Sequence, residues 1–126
     1  MPFFCHAQGV ESQKKNITGI YSSMGYVRNA GDLVGVEVFL VNTNDGIYAV
    51  FQSAEGGAAS VPVVVKAFVI GNKIEFTLPE NSSFPGKFIG RLEKSRIVGE
   101  FERGYLSPTR PGTQFVLHRR KSYWQQ

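Results

Sequence analysis

The sequence is poor in the residues from which catalytic and metal centres are usually built. It has one cysteine, Cys5, and two histidines, of which only His118 lies outside the first fifteen residues. The chain therefore lacks the histidine or cysteine cluster that a zinc site requires, and we expect no cofactor. The sequence motifs of zinc proteases, serine hydrolases and phosphate-binding loops are also absent. These absences favour a non-enzymatic role.

Long hydrophobic runs are missing as well. No apolar stretch approaches the roughly 18 residues of a membrane-spanning helix, so we expect no membrane span. The opening segment MPFFCHAQG resembles the end of a secretory signal peptide, with Cys5 and Ala7 as small residues before a cut at Gln8. We expect residues 1–15 to be either a signal-peptide remnant or a disordered leader. The first alternative predicts a secreted or periplasmic protein.

The positive charge of the chain is concentrated near its end. Without Arg119, Arg120 and Lys121 the formal net charge would fall from +4 to +1. Side chains alternate between the two faces of a strand, so these cations cannot form one dense phosphate-binding patch. We therefore expect no nucleic-acid partner, although binding of single strands is kept as an alternative. The two aromatic residues that follow are expected to fold over a barrel mouth or against Tyr21.

Short runs of β-branched and aromatic residues, separated by turn residues, are what the sequence has instead. This pattern is typical of an all-β protein, and 126 residues suffice for one domain, which we place at 16–126. The predicted strands are 17–27, 33–43, 47–54, 61–70, 73–78, 86–93, 96–103 and 113–121. Eight sequential strands with short links favour a single antiparallel up-and-down meander closed into a barrel, because closure removes exposed edges. A two-sheet sandwich is the alternative.

Three two-residue turns predict how neighbouring strands pair: Asp45-Gly46, Gly71-Asn72 and Lys94-Ser95. They place Leu40 opposite Phe51, Ala67 opposite Phe76, and Phe88 opposite Phe101. In the last hairpin Gly90 faces Gly99 on the apolar side. This pair leaves a gap in the barrel wall that either a ligand or a phenylalanine from across the barrel can fill.

The same alternation predicts an apolar interior. Its lining is expected to bind a small apolar ligand and to comprise Tyr21, Val36, Val38, Phe51, Phe76, Phe88, Phe101 and Arg119. Few polar groups are available inside, so the ligand's orientation would depend on Tyr21 and Arg119 at the mouth.

The opposite, outward face of the central strands also carries large apolar residues. We predict a homodimer or larger homo-oligomer through Glu37, Phe39, Val41, Tyr48, Val50, Gln52 and Phe68, since such a surface usually marks an interface. Glu37 and Gln52 would be polar anchors within it. An alternative hypothesis is an enzyme of the isomerase or cyclase type that uses a buried Glu37 as its acid or base.

The first and last predicted strands carry a family resemblance. The first strand contains Gly19-Ile20-Tyr21, and the last contains Arg119 and Arg120. This layout resembles the calycin superfamily of lipocalin-like barrels, in which a Gly-x-Trp motif is sealed by an arginine from the last strand. The resemblance implies that Gly19, Tyr21 and one of the two arginines play these parts, in a barrel whose apolar cavity opens at one end. Tyrosine stands in place of tryptophan, and the family's middle-loop motif is absent.

Overall fold

The computed structural model describes residues 17–27, 31–82, 85–102 and 114–125, so the expected leader at 1–15 lies outside the described residues. The strands are β1 Gly19–Ser22, β2 Gly25–Tyr26, β3 Leu33–Thr43, β4 Gly46–Glu55, β5 Val63–Ile70, β6 Lys73–Leu78, β7 Gly86–Glu93, β8 Arg96–Phe101 and β9 Gln114–Arg119. A 3-10 turn spans Tyr123–Gln125. In the described ranges no helix is long and apolar enough to cross a membrane.

The strands form one antiparallel sheet that closes on itself. β1 and β2 pair with β3 in one continuous register, so they are two halves of a single strand interrupted at Ser23 and Met24. On its other side β1 pairs with β9, where Tyr21 lies opposite Arg119. Every other strand pairs with its neighbours in sequence. The predicted all-β, eight-stranded antiparallel up-and-down barrel is confirmed.

Two of the three predicted turns set the strand pairing as expected. The β5–β6 and β7–β8 hairpins have the predicted partners. Gly71 begins the first turn with a φ of 63°, a left-handed conformation that glycine adopts readily. Lys94 begins the second with a φ of 52°, and it is the only non-glycine residue with positive φ in the described ranges.

The third turn lies one residue earlier than predicted. Thr43 closes the hairpin, because its Oγ1 accepts a hydrogen bond from the Asp45 N–H (3.1 Å) and donates one to the Gly46 carbonyl (2.8 Å). The turn residues are therefore Asn44 and Asp45, and Leu40 pairs two residues away from its predicted partner. Since side chains alternate with a period of two, a two-residue shift leaves the inward and outward faces unchanged.

The interior of the barrel is a continuous apolar core. All seven apolar residues of the predicted lining are buried in it: Tyr21, Val36, Val38, Phe51, Phe76, Phe88 and Phe101. Phenylalanine rings fill its centre. Phe76 and Phe88 stack with ring centroids 4.9 Å apart, and Phe101 meets Phe88 edge-on at 5.3 Å. Such ring pairs stabilise a core by about 0.5–1.5 kcal/mol each beyond the burial of their area.

Candidate functional site

The predicted gap at Gly90 and Gly99 is occupied. A Cβ atom on Gly99 would lie 2.6 Å from Cζ of Phe88, and one on Gly90 would lie 3.0 Å from its Cε1. Of the two predicted occupants, a phenylalanine is the one found, although it comes from β7 itself and not from across the barrel. The glycines therefore make room for a ring of the core at this point of the wall.

Gly19, Tyr21 and Arg119 meet at one end of the barrel, as the family resemblance implied. The Arg119 guanidinium carbon lies 5.9 Å from the centroid of the Tyr21 ring, and Nη2 donates to the Thr18 carbonyl at 2.6 Å. A side chain at position 19 would collide with this guanidinium, since a Cβ would lie 2.8 Å from Nε. Burial raises the pKa of Tyr21, and the charge of Arg119 opposes this rise with a smaller effect.

The outward face of the first strands is organised in rows that run across the strands. We call one the covered row; its members are Ser22, Glu37 and Gln52. The next is the bare row, with Ile20, Phe39, Val50 and Val64. Glu37 lies directly opposite Gln52, because the β3–β4 turn is at Asn44-Asp45 and not at the predicted Asp45-Gly46. Four of the predicted interface residues are therefore divided between two rows that differ in polarity: Glu37 and Gln52 in the covered row, and Phe39 and Val50 in the bare row.

The end of the chain lies over the covered row. We call residues 120–125 the C-terminal strap. Arg120 donates its N–H to the Ile20 carbonyl at 3.0 Å and its Nη2 to the Met24 carbonyl, so the chain crosses the first strand here. Beyond it, Ser122 Oγ donates to Glu37 Oε2 at 2.5 Å, and the Tyr123 N–H donates to Oε1 at 3.1 Å. Both oxygens of the Glu37 carboxylate are thus engaged by the protein's own strap.

The strap also covers a small apolar cluster on the outside of the barrel. Tyr123 packs against Met24, Leu33 and Ala54, which are all buried. The Tyr123 hydroxyl accepts a hydrogen bond from Gln52 Nε2 at 3.3 Å. The prediction that the aromatic tail folds over a barrel mouth or against Tyr21 is therefore wrong for Tyr123, because apolar surface and hydrogen-bonding groups for the strap lie together on the outer face.

The strap changes the interpretation of Glu37. Its side chain points away from the core, yet the residue is only 5% exposed. A polar anchor in an intermolecular interface was expected, and the groups that bind the carboxylate come from the same chain. An acid or base role for Glu37 would require the strap to leave first. In the described part of the chain no group of three potential metal ligands comes together.

The bare row has no such cover from the described residues. Phe39 is 38% exposed and Val64 is 62% exposed, while Ile20 and Val50 are half-buried between their neighbours. No charged side chain belongs to the row. On the side away from the strap, half-buried Val41 lies directly opposite Tyr48 and extends the apolar surface.

Phe68 does not belong to this surface. Lys66 lies between Val64 and Phe68 on the outward face of β5, directly opposite Tyr48. Phe68 instead lies at the end of the barrel near the β3–β4 turn, where it lines an open groove. The structure thus brings together Phe39, Val41, Tyr48 and Val50 from the predicted interface and separates Glu37, Gln52 and Phe68 from them.

Sequence reasoning missed the contact of Ser122 with Glu37 and the position of Tyr123. The signal available for them was indirect: Met24 and Leu33 are apolar residues at outward positions of their strands. No protein-family model, curated protein or solved structure matches the chain. We therefore infer function from the geometry of the barrel alone.

Proposed function

We propose that the protein is a non-enzymatic, lipocalin-like barrel that assembles with a second copy of itself through the bare row. One observation carries this proposal: four apolar side chains lie in register across four strands, and no described part of the chain covers them. Contiguous apolar surface of this kind on a soluble protein usually marks an interface. The phenylalanine that fills the gap at Gly90 and Gly99 favours assembly over an interior ligand.

The strap suggests how two copies would fit together. It stands above the covered row on one side of the bare row, while Val41 and Tyr48 lie on the other side without a strap. A two-fold axis along the bare row would set each strap against Val41 and Tyr48 of the partner subunit. This arrangement is isologous, which is the usual symmetry of homodimers. Two sheets packed face to face lie about 10 Å apart, which leaves depth for the strap beside the row.

The lipocalin-like part of the proposal has separate support. Gly19, Tyr21 and Arg119 form the arrangement that the resemblance implies, and the eight strands follow the up-and-down order of that superfamily. Their contacts close the barrel between its first and last strands. The end of the barrel at Gly19, Tyr21 and Arg119 therefore stabilises its closure, while the outer face supplies the proposed contact with a second copy.

The mass of the protein in solution tests the assembly. Val50→Asp places a charge in the centre of the bare row, and we expect it to convert a dimer into a monomer with an unchanged far-ultraviolet circular dichroism spectrum. Val116→Asp is the matched control, since Val116 is a partly exposed residue of β9, a strand that carries no member of the bare row. A monomeric wild-type protein at all accessible concentrations, or equal dissociation in both variants, would contradict the proposal.

Two further measurements test the symmetry. Val50 lies on the proposed axis, so Val50→Cys in a Cys5→Ser background should be joined to the same position of the second subunit by a short bismaleimide, which spans the distance between packed sheets that a disulfide does not. The chain has one tryptophan, Trp124, which is 63% exposed on the strap. Its fluorescence should shift to shorter wavelength as the protein is concentrated and the strap meets the partner. A dimer without either signal would require a different axis.

A further inference from the structure

One end of the barrel has an open strand edge. The β4–β5 ladder ends where Ile47 lies opposite Ala67, but β5 continues to Ile70 with only β6 as its strand partner. Between this extension and the β3–β4 turn lies an open groove with a volume of about 870 Å³. It is lined by Thr18, by residues 42–44, 46 and 47, and by residues 66–70.

The backbone of Val69 faces this groove. Ile70 and Lys73 flank the two-residue turn, so they form a hydrogen-bonded pair of the β5–β6 ladder. Alternate residues of an antiparallel strand direct their N–H and C=O groups to opposite sides, so those of Val69 point away from β6. No described strand lies on that side to receive them. An open edge of this kind is where an extended peptide can be added to a sheet.

A cation is held at the inner end of the groove. The stem of Lys66 lies against Gly46, where a Cβ atom would be 3.0 Å from Cε and 3.6 Å from Nζ. Gly46 has a φ of 117°, so glycine is favoured there for the backbone as well as for the space. No ion pair to Lys66 is formed by the described residues. Its ammonium group is therefore positioned and available to an anion.

The remaining walls combine amides with apolar side chains. Asn42 and Asn44 line the hairpin side, and their side-chain amides make no hydrogen bond with another described residue. On the β5 side, Phe68 is exposed and Ile70 is 80% exposed. The groove thus offers a positive charge at one end, free backbone groups beside it and an apolar strip towards the other end.

We propose that this groove binds the carboxyl terminus of a peptide with apolar final residues. A peptide antiparallel to β5 runs in the direction of β4, so its last residue reaches Gly46. Its terminal carboxylate accepts hydrogen bonds from the Val69 N–H and the Lys66 ammonium, and its last N–H donates to the Val69 carbonyl. The side chain before it packs on Ile70. This site uses no side chain of the bare row.

Titration with a synthetic peptide tests the proposal directly. The probe is an acetylated six-residue peptide that ends in valine-isoleucine-valine, titrated into the full-length protein and followed by backbone amide chemical shifts. We expect saturable binding with shifts at residues 43–46 and 66–70. The same peptide with an amidated C-terminus should bind about tenfold more weakly, because it loses the charge-assisted bonds. Decanoate, which has a carboxylate but no N–H for the Val69 carbonyl, should bind more weakly than the free peptide.

Variants assign the interaction to the groove. Lys66→Met should weaken binding of the free peptide about tenfold and leave binding of the amidated peptide unchanged. Lys73→Met is the matched control on the neighbouring strand and should leave both affinities unchanged. Val50→Asp should also bind the peptide normally, so failure of the proposed dimer and failure of this site are distinguishable.

Several outcomes would overturn the proposal. Among them are the absence of saturable binding, equal affinity of the free and amidated peptides, and shifts at interior residues such as Phe51 and Phe88 in place of the groove. Tighter binding of decanoate than of the free peptide would also overturn it, since the open strand edge would then play no part in recognition.

Discussion

The covered row and the bare row lie side by side on β1, β3 and β4, and the bare row continues onto β5. The two rows differ in polarity and in whether the chain covers them. The covered row is polar and is shielded from solvent by the C-terminal strap. The bare row is apolar, and no described part of the chain lies over it. In most proteins the apolar surface is buried and the polar surface is left to water. Here the chain covers its own polar row and leaves the apolar one open.

The difference follows from what the strap contains. It approaches the barrel with a hydroxyl and a backbone N–H, which are donors that a carboxylate on the sheet can accept. A buried carboxylate is tolerated only when such donors are present, since burial without them is costly. The apolar contacts of the strap, which the Tyr123 ring makes, go to Met24, Leu33 and Ala54. The residues of the bare row form the surface that the proposed dimer would bury.

Removal of the strap's packing should have the largest effect on this arrangement. Tyr123→Ala removes the ring that covers Met24 and Leu33 together with the hydrogen bond from Gln52. We expect the free energy of unfolding to fall by about 2–3 kcal/mol, measured by urea denaturation. Trp124→Ala is the neighbouring control and should change it by less than about 0.5 kcal/mol. An equal loss in both variants would mean that Tyr123 does not anchor the strap.

The polar contact should contribute somewhat less. Glu37→Gln leaves one acceptor oxygen for two donors, Ser122 Oγ and the Tyr123 N–H. We expect a loss of about 1–2 kcal/mol in the free energy of unfolding. In a Ser122→Ala background only one donor remains, so the same substitution should cost less than about 0.5 kcal/mol. Additive losses in the double variant would show that the carboxylate is not shared between these groups.

The inward face of β1 allows a finer test. Tyr21 lies between Ile20 and Ser22 in sequence, but its side chain is buried in the core and theirs belong to the bare and covered rows. Burial raises the pKa of Tyr21, so the folded protein holds the phenolic proton more firmly than the unfolded chain. The resulting stability is fully present below the ordinary tyrosine pKa of about 10 and is lost as pH rises through the raised folded-state pKa.

Tyr21→Phe should therefore lose about 1 kcal/mol at neutral pH, where it lacks the 2.9 Å hydrogen bond to the Ile17 carbonyl. Above pH 10 its stability should fall less steeply than that of the wild type, as measured by urea denaturation across pH 8–11. Tyr26→Phe, at an exposed position of β2, should follow the wild-type curve. Parallel curves for wild type and Tyr21→Phe would contradict this expectation.

The architecture and the inward face were accessible from the sequence because both depend on local signals. Turn residues and alternation fixed the hairpins at Gly71 and Lys94. They also preserved the faces of β3 and β4, although the turn at Asp45 was misplaced. An error of two residues in the pairing register changes every partner but not the side to which each side chain points. An error of one residue in the pairing register would have turned the core outward.

The strap could not be predicted in the same way. Its contacts join Ser122 and Tyr123 to Glu37, more than 80 residues away in sequence. No turn or alternation pattern links positions so distant, and a polar tail carries no periodic signal. The groove near Lys66 was missed for a related reason. It exists because the β4–β5 ladder ends at Ala67 while the β5–β6 ladder continues to Ile70, and this depends on three strands together.

The joint between the first and last strands has a consequence for how the protein is made. Only two cross-strand pairs connect β1 to β9, whereas six connect β7 to β8. The strap crosses this joint and fastens the chain after β9 to β3. During synthesis the ring must therefore remain open until residues 114–125 have emerged from the ribosome. Until then the nascent chain exposes an unpaired strand edge on either side of the gap, at β1 and at β8, and such edges are sites where chains self-associate.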